Sequence, residues 1–233
     1  MNRIAILISG RGSNMQSLVH AVESNFSGAH EGARITAVIS NEPNAGGLAF
    51  AEDAGIMTQC VDHRLFPARE SHEQAMIDII DSCADWVVLA GYMRILTDNF
   101  VERYMGKLLN IHPSLLPHYP GLDTHQRAID AKDSHAGASV HYVIPALDAG
   151  PVILQARVPI EKDDDSTTLA ARVLGKEHII YPMVLQWVLE GTVQHEQTPD
   201  GNHYCQFRNK RLDVPLQLDQ VLNSEDFDKS NPN

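Results

Sequence analysis

Asn110, His112 and Asp148 are the residues of this chain whose types and spacing point most directly to chemistry. An amide, an imidazole and a carboxylate are what a protein needs to steady a developing oxyanion and to move one proton. Asn110 and His112 stand two apart after Lys107-Leu108-Leu109, which reads as strand, so alternation gives both side chains one side. Pro113 has no N–H to donate and stops the ladder there. A carboxylate close to the imidazole would orient the ring and favour its protonated form. The plainer alternative is that Asn110 and His112 satisfy backbone groups at a strand end while Asp148 caps a turn. Spacing alone leaves both open.

A second group of residues joins the first apolar run to the first helical pattern. In Ser9-Gly10-Arg11-Gly12-Ser13-Asn14 the glycines allow close backbone approach to an anion, and amides at a helix start point toward it. Met15 stands where a dinucleotide fingerprint has its third glycine, and no Gly-Lys-Ser/Thr follows, so a phosphate monoester is the ligand that fits best. A tight turn capped by Ser13 or Asn14 is the alternative. Tyr92-Met93-Arg94-Ile95-Leu96 offers an apolar wall with one cation, suited to a flat aromatic ligand with an anionic tail, or else plain core. His141, on the strand leading to Asp148, is a supporting imidazole or a hydrogen-bonded strand residue. No GxSxG elbow and no cysteine nucleophile signature is present, which favours direct transfer over a covalent acyl-enzyme.

The elements that must carry these groups alternate between strand and helix. Ile4 to Ser9, Ile35 to Ser40, Met57 to Val61 and Trp86 to Ala90 read as strands, most of them continuous apolar runs of the kind buried on both faces. Between them lie helical patterns around Met15 to Val22, over Gly47 to Ala54, and over Arg69 to Cys83, with another from about Asp98. Such a chain builds an α/β fold, a doubly wound and mostly parallel sheet that binds ligands at the carboxyl ends of its strands. Ser9 to Asn14, Gly91 to Leu96 and Asn110 to Pro117 all occupy that position. Ala138 to Val143 and Val152 to Ile160 are expected to extend the sheet in antiparallel fashion. Thr168 to Leu189 is a long helix with Ser166 or Thr167 as its N-cap. Leu116-Pro117 is a candidate cis peptide, because tight turns beside active sites favour that isomer. The tail beyond Gln197 is polar, and its last stretch is expected to be disordered.

The chain has 233 residues, 43% of them apolar, with a formal net charge of −12. That charge argues against a nucleic-acid or membrane-surface partner. Three scattered cysteines, Cys60, Cys83 and Cys205, read as reduced thiols with no metal site, and the short apolar run after Arg3 is no signal peptide. The expected compartment is the cytoplasm.

Taken together the motifs resemble the glycinamide ribonucleotide transformylases, folate-dependent formyltransferases of purine synthesis, from Met1 to about Glu196. The resemblance is carried by Ser9 to Asn14, Leu89 to Leu96, Asn110 to Pro117, Leu147 to Gln155, and Glu177-His178-Ile179-Ile180-Tyr181-Pro182. It implies a Rossmann-like formyltransferase fold in one domain, 1–196, with a nucleotide-binding half over about 1–110 and a catalytic and folate half over 111–196. Residues 197–233 would be a polar extension. It implies transfer of the formyl group of 10-formyltetrahydrofolate to the amine of 5-phosphoribosylglycinamide, with no metal.

By the same resemblance Asn110, His112 and Asp148 are catalytic. Gly12, Ser13 and Asn14 bind the 5′-phosphate, and Glu177 holds the ribose hydroxyls. Arg69, Met93, Arg94, Ile95 and Leu96, with Ile144, Pro145, Ala146, Leu147 and Asp148, bind the folate. The loop before Asp148 is less acidic than the family often shows, so contacts there run through backbone groups. The partners implied are small molecules, with no nucleic acid and no membrane, for a monomer or weak homodimer. A formyltransferase acting on a tRNA would need more length and a basic surface. One acting on an amino sugar, or a non-catalytic folate or nucleotide binder, is weighed against by the phosphate loop, Glu177 and the intact Asn-His-Asp set.

Overall fold

The computed structural model describes residues 1–25 and 32–224; the expectation of disorder at the extreme C-terminus concerns residues outside that range. The described residues form two compact units, one within residues 1–111 and 142–147, the other within residues 112–141 and 148–224.

The first unit is built on β1 (Asn2–Ile8), β2 (Ala33–Ser40), β3 (Met57–Cys60), β4 (Trp86–Leu89) and the start of β5 (Leu108–His112). All pair in parallel, in the order β3-β2-β1-β4-β5. The apolar runs explain this: Ile4, Ala5, Ile6, Leu7 and Ile8 are fully buried, as a strand covered on both faces requires. Helices α1 (Ser13–Asn25), α2 (Gly46–Asp53), α3 (Arg69–Cys83) and α4 (Asp98–Arg103) make the crossovers. Met76, Ile77 and Ile80 of α3 pack with Leu7, Ile39, Val87 and Phe100 in one core. The strand order reverses at β1, so the loops leaving β1 and β4 part at their carboxyl ends, where open sheets of this kind bind ligands.

In the second unit β6 (His135–Tyr142, its last residue in the first unit) and β7 (Val152–Pro159) are antiparallel, as expected. The two strands come so close that a Cβ on Gly137 would press into the Ala156 carbonyl oxygen and lie 2.6 Å from Leu115 Cδ2. Helix α6 (Ser166–Leu189) packs on β7. Its N-cap is Asp165 rather than Ser166 or Thr167. The Asp165 carboxylate accepts from Thr167 N and Thr168 N, while Thr168 Oγ1 accepts from Asp165 N. A carboxylate satisfies more helix-start amides than a hydroxyl does, and the capping box closes one residue earlier.

Three features fall outside the sequence expectations. Helix α5 (Thr124–Asp130) follows the turn after β5. A small antiparallel sheet joins β8 (Val193–Gln197), at the end of the expected 1–196 domain, to β9 (His203–Phe207) and β10 (Lys210–Arg211) in the polar tail. Beyond it β11 (Leu216–Gln217) adds in parallel to β7 and leads into α7 (Leu218–Asn223).

Candidate active site

In the first unit the loop Ser9 to Asn14 turns sharply from β1 into α1. Gly12 has φ +72°, and a Cβ there would come within 3.2 Å of Gly47 Cα, so the turn needs glycine on both counts. The helical ladder begins with Gln16 N–H to Gly12 O at 2.9 Å. As at any helix start, the first amides of α1 lie ahead of this ladder, at the positive end of the helix dipole.

Ser9 ties this loop to the one that follows β4. Its Oγ donates to Asn41 Oδ1 at 2.5 Å and accepts from Met93 N at 2.8 Å. The far end of that second loop is held by Glu73, a carboxylate only 3% exposed, which accepts from Thr97 N at 2.9 Å and from Thr97 Oγ1. Burial pushes the Tyr92 hydroxyl well above its ordinary value. Between these pins Met93 and Ile95 stand 72% and 59% exposed, and Arg94 has no carboxylate partner among the described residues. Exposed apolar side chains beside an unpaired cation are what a flat ligand with an anionic tail would cover. Leu89 of β4 lies in register with Asn110 of β5, so this loop starts beside the Asn110 strand position. Ile144 to Leu147 belong to the same unit and are largely exposed, whereas Arg69, at the start of α3, is exposed with no side-chain partner among the described residues.

The second unit begins where β5 delivers His112, two residues after Asn110 on the same strand. His112 is 6% exposed, and its Nδ1 lies 3.5 Å from Asp148 Oδ2. On the other side of that carboxylate, Oδ1 lies 4.0 Å from Nε2 of the buried His141. Three of the sequence-selected residues are thus brought together, with one carboxylate between two imidazoles. Glu177 is buried on α6 of this unit, beside His178, whose ring burial pushes below its ordinary value.

Two backbone groups that no side-chain pattern could reveal complete the arrangement. His112 Nε2 donates to the Tyr119 carbonyl at 2.9 Å, and Gly121 N donates to Asp148 Oδ2 at 2.8 Å. Both come from a turn in left-handed conformations, Tyr119 at φ 56° and Gly121 at φ 78°, and Asp148 itself has φ 49°. Such conformations in non-glycine residues cost on the order of 1–3 kcal/mol each and persist where surrounding structure fixes them. Leu116-Pro117 in this turn is cis. Both ring nitrogens of His112 therefore face acceptors, the Tyr119 carbonyl at Nε2 and the Asp148 carboxylate at Nδ1. His125 on α5 carries no sequence signal; burial, with His112 adding, lowers its pKa.

Residues 2–185 match the family model described as Formyl transferase. Together with this geometry, that match shows that the chain belongs to the formyl transferase family. Within that family it is 47% identical, over 83% of its length and 90% of the relative's, to the phosphoribosylglycinamide formyltransferase of Escherichia coli strain K12. It is also 44% identical to the human trifunctional purine biosynthetic protein adenosine-3, covering 82% of this chain and 19% of that protein. Among solved structures, the phosphoribosylglycinamide formyltransferase of Coxiella burnetii superposes with a TM-score of 0.84 at 41% identity, over 92% of this chain and 99% of that one.

Proposed function

We propose that the chain transfers the formyl group of 10-formyltetrahydrofolate to the amino group of 5-phosphoribosylglycinamide, a step of purine synthesis. The observation that carries the reading is the buried His112–Asp148 pair, 3.5 Å apart, at the end of the strand that also bears Asn110. The amine nitrogen attacks the formyl carbon, a new C–N bond forms, and the carbonyl oxygen becomes an oxyanion. Asn110 N–H and protonated His112 donate to that oxygen. For His112 this means that the oxyanion shares or replaces the Tyr119 carbonyl as the acceptor at Nε2. Collapse of the intermediate breaks the bond to N10 of the folate, which takes up the proton the amine loses. Asp148 holds His112 in orientation and relays that proton through water.

Binding follows the chemistry of the loops. Gly12, Ser13 and Asn14 take the 5′-phosphate, a role supported by the helix start and the close approach that Gly12 permits. Glu177, a buried carboxylate, accepts from the ribose hydroxyls. Met93, Arg94, Ile95 and Leu96, with Ile144 to Leu147 and Arg69, take the folate, as the exposed apolar side chains and unpaired cations of those segments favour. The folate is a substrate, consumed in each turnover, and no metal enters the scheme. The three described cysteines are free thiols, in keeping with a reducing, cytoplasmic setting. The test is release of tetrahydrofolate on mixing the protein with both substrates. Release that depends on the amine is expected, and no release would refute the reading.

A further inference from the structure

The turn that follows His112 is held by side chains that the proposed chemistry leaves unused. Its backbone is gripped at Leu116 from both directions. Leu116 N–H donates to Ser139 Oγ at 3.0 Å, and the Leu116 carbonyl accepts from Gln155 Nε2 at 2.8 Å. Ser139 Oγ in turn donates to the Ser114 carbonyl at 2.6 Å and accepts from Gln155 Nε2 at 2.9 Å. One donor and two acceptor sites are all a hydroxyl has, so Ser139 is saturated. The direction of the network follows from its ends. The Leu116 carbonyl only accepts, and Ser139 Oγ gives its proton to the Ser114 carbonyl, so Gln155 presents its amide nitrogen to Leu116 and Ser139 and turns its Oε1 away. That oxygen accepts from Gln217 Nε2 at 3.2 Å.

Ser139 is 0% and Gln155 7% exposed, so the bonds they make are not replaced by water when lost. Gln217 sits on β11, in register with Gln155 of β7. A chain of hydrogen bonds thus runs from the C-terminal segment to the backbone at 114–116. The same turn continues to Tyr119 and Gly121, whose carbonyl and amide hold His112 and Asp148.

We infer that Gln155, backed by Gln217 from the C-terminal segment, is a positioning residue for formyl transfer, fixing the turn that aligns His112 with Asp148. The inference rests on the assignment of those two residues to the chemistry. It gives the segment beyond residue 197 a task in turnover. Misplacing a reacting group by about 1 Å costs on the order of 10²-fold in rate, so a clamp on this turn acts on kcat.

The test is steady-state kinetics on the full chain for Gln155→Leu, Gln217→Leu and the double variant, with His112→Asn as reference and Tm measured for each. Gln155→Leu is expected to lower kcat about tenfold or more and Gln217→Leu about threefold, with each KM held within about twofold. Because the two act in series, the double variant should be no slower than Gln155→Leu alone, whereas independent effects would multiply. Unchanged kcat in either folded single variant, a loss confined to KM, or multiplicative effects would each overturn the inference. Should Gln155→Leu fail to fold, Gln217→Leu decides the question. Gln217 lines an open cleft of about 460 Å³, where a leucine is accommodated. Full activity in His112→Asn would instead refute the catalytic assignment beneath it, while an inactive His112→Asn beside unimpaired glutamine variants would refute the positioning role alone.

Discussion

The loop after β4 and the turn after β5 hold their functional groups by opposite means. Among the described residues the first is tied by Ser9 to the Gly91 carbonyl and Met93 N, by Tyr92 to Met76 and by Glu73 to Thr97, and leaves the Met93 and Ile95 side chains in solvent. The second is tied at most of its polar backbone groups. Ser139 and Gln155 grip Leu116, Ser114 Oγ donates to the His118 carbonyl, and Tyr119 and Gly121 engage His112 and Asp148. A surface that binds a large flat ligand gains from exposed apolar area and tolerates adjustment. A proton-handling pair does not, because its contribution depends on distances fixed before the substrate arrives. On the proposed function, folate binding is therefore written in exposed side chains, and catalysis in a buried network.

Substitutions in the catalytic turn should show the largest effects. Asp148→Asn or His112→Asn is expected to lower kcat by about 10²- to 10⁴-fold with modest changes in KM, measured by initial rates of formyl transfer. A loss mainly in KM would blur the division between the two regions. Next come Ser13→Ala and Glu177→Ala, which should weaken nucleotide binding in titration calorimetry while leaving folate affinity unchanged; unaltered nucleotide affinity would remove these residues from the site. Glu73→Ala unpins one end of the exposed loop and leaves Thr97 N–H without its partner. It should cost about 1–3 kcal/mol in denaturant unfolding and raise the KM for folate before it touches kcat.

The smallest effect concerns stability, at an imidazole placed unlike His112. His195 Nε2 and His203 Nδ1 are 3.0 Å apart in the small C-terminal sheet, and burial, with His203 adding, holds His195 down at about 4. The unfolded chain takes up a proton at about 6.5 that the folded chain refuses until about 4. Stability from this group is therefore full above about 6.5 and declines as pH falls toward 4. His195→Gln should flatten that part of the Tm–pH curve; a curve identical to wild type would show that the pair does not titrate as described.

The sequence made the frame legible and the turn illegible, for physical reasons. Ile4 to Ile8 and Trp86 to Leu89 announce buried strands by apolar runs, and α3 spans the expected Arg69–Cys83 because Met76, Ile77 and Ile80 give it an apolar stripe. Helix α5 has only Thr124 and Ala128 buried, too little stripe to see. Strand β8 has only Val193 as an apolar residue, and β9 carries His203 and Gln206 in a stretch that reads as polar tail, so neither announces a strand. The α6 cap shifted by one residue because Asp165 and Thr168 close a box that hydroxyls alone do not.

At the site, His112, Asp148 and His141 were readable as side-chain types, and the structure brings them together. Tyr119 and Gly121 act through backbone atoms, which Pro120-Gly121 marks only as a turn. Gln155 and Gln217 are 62 residues apart, and their pairing exists only once β11 has joined β7.

The central claim is that the buried His112–Asp148 pair performs formyl transfer to the amine of phosphoribosylglycinamide. Its most direct test is the rate of tetrahydrofolate release from 10-formyltetrahydrofolate with that amine as acceptor, for wild type and Asp148→Asn side by side. Acceptor-dependent release by wild type is expected, lost in the folded variant although both substrates still bind. Equal release by the two proteins, or release by wild type that does not depend on the amine, would contradict it.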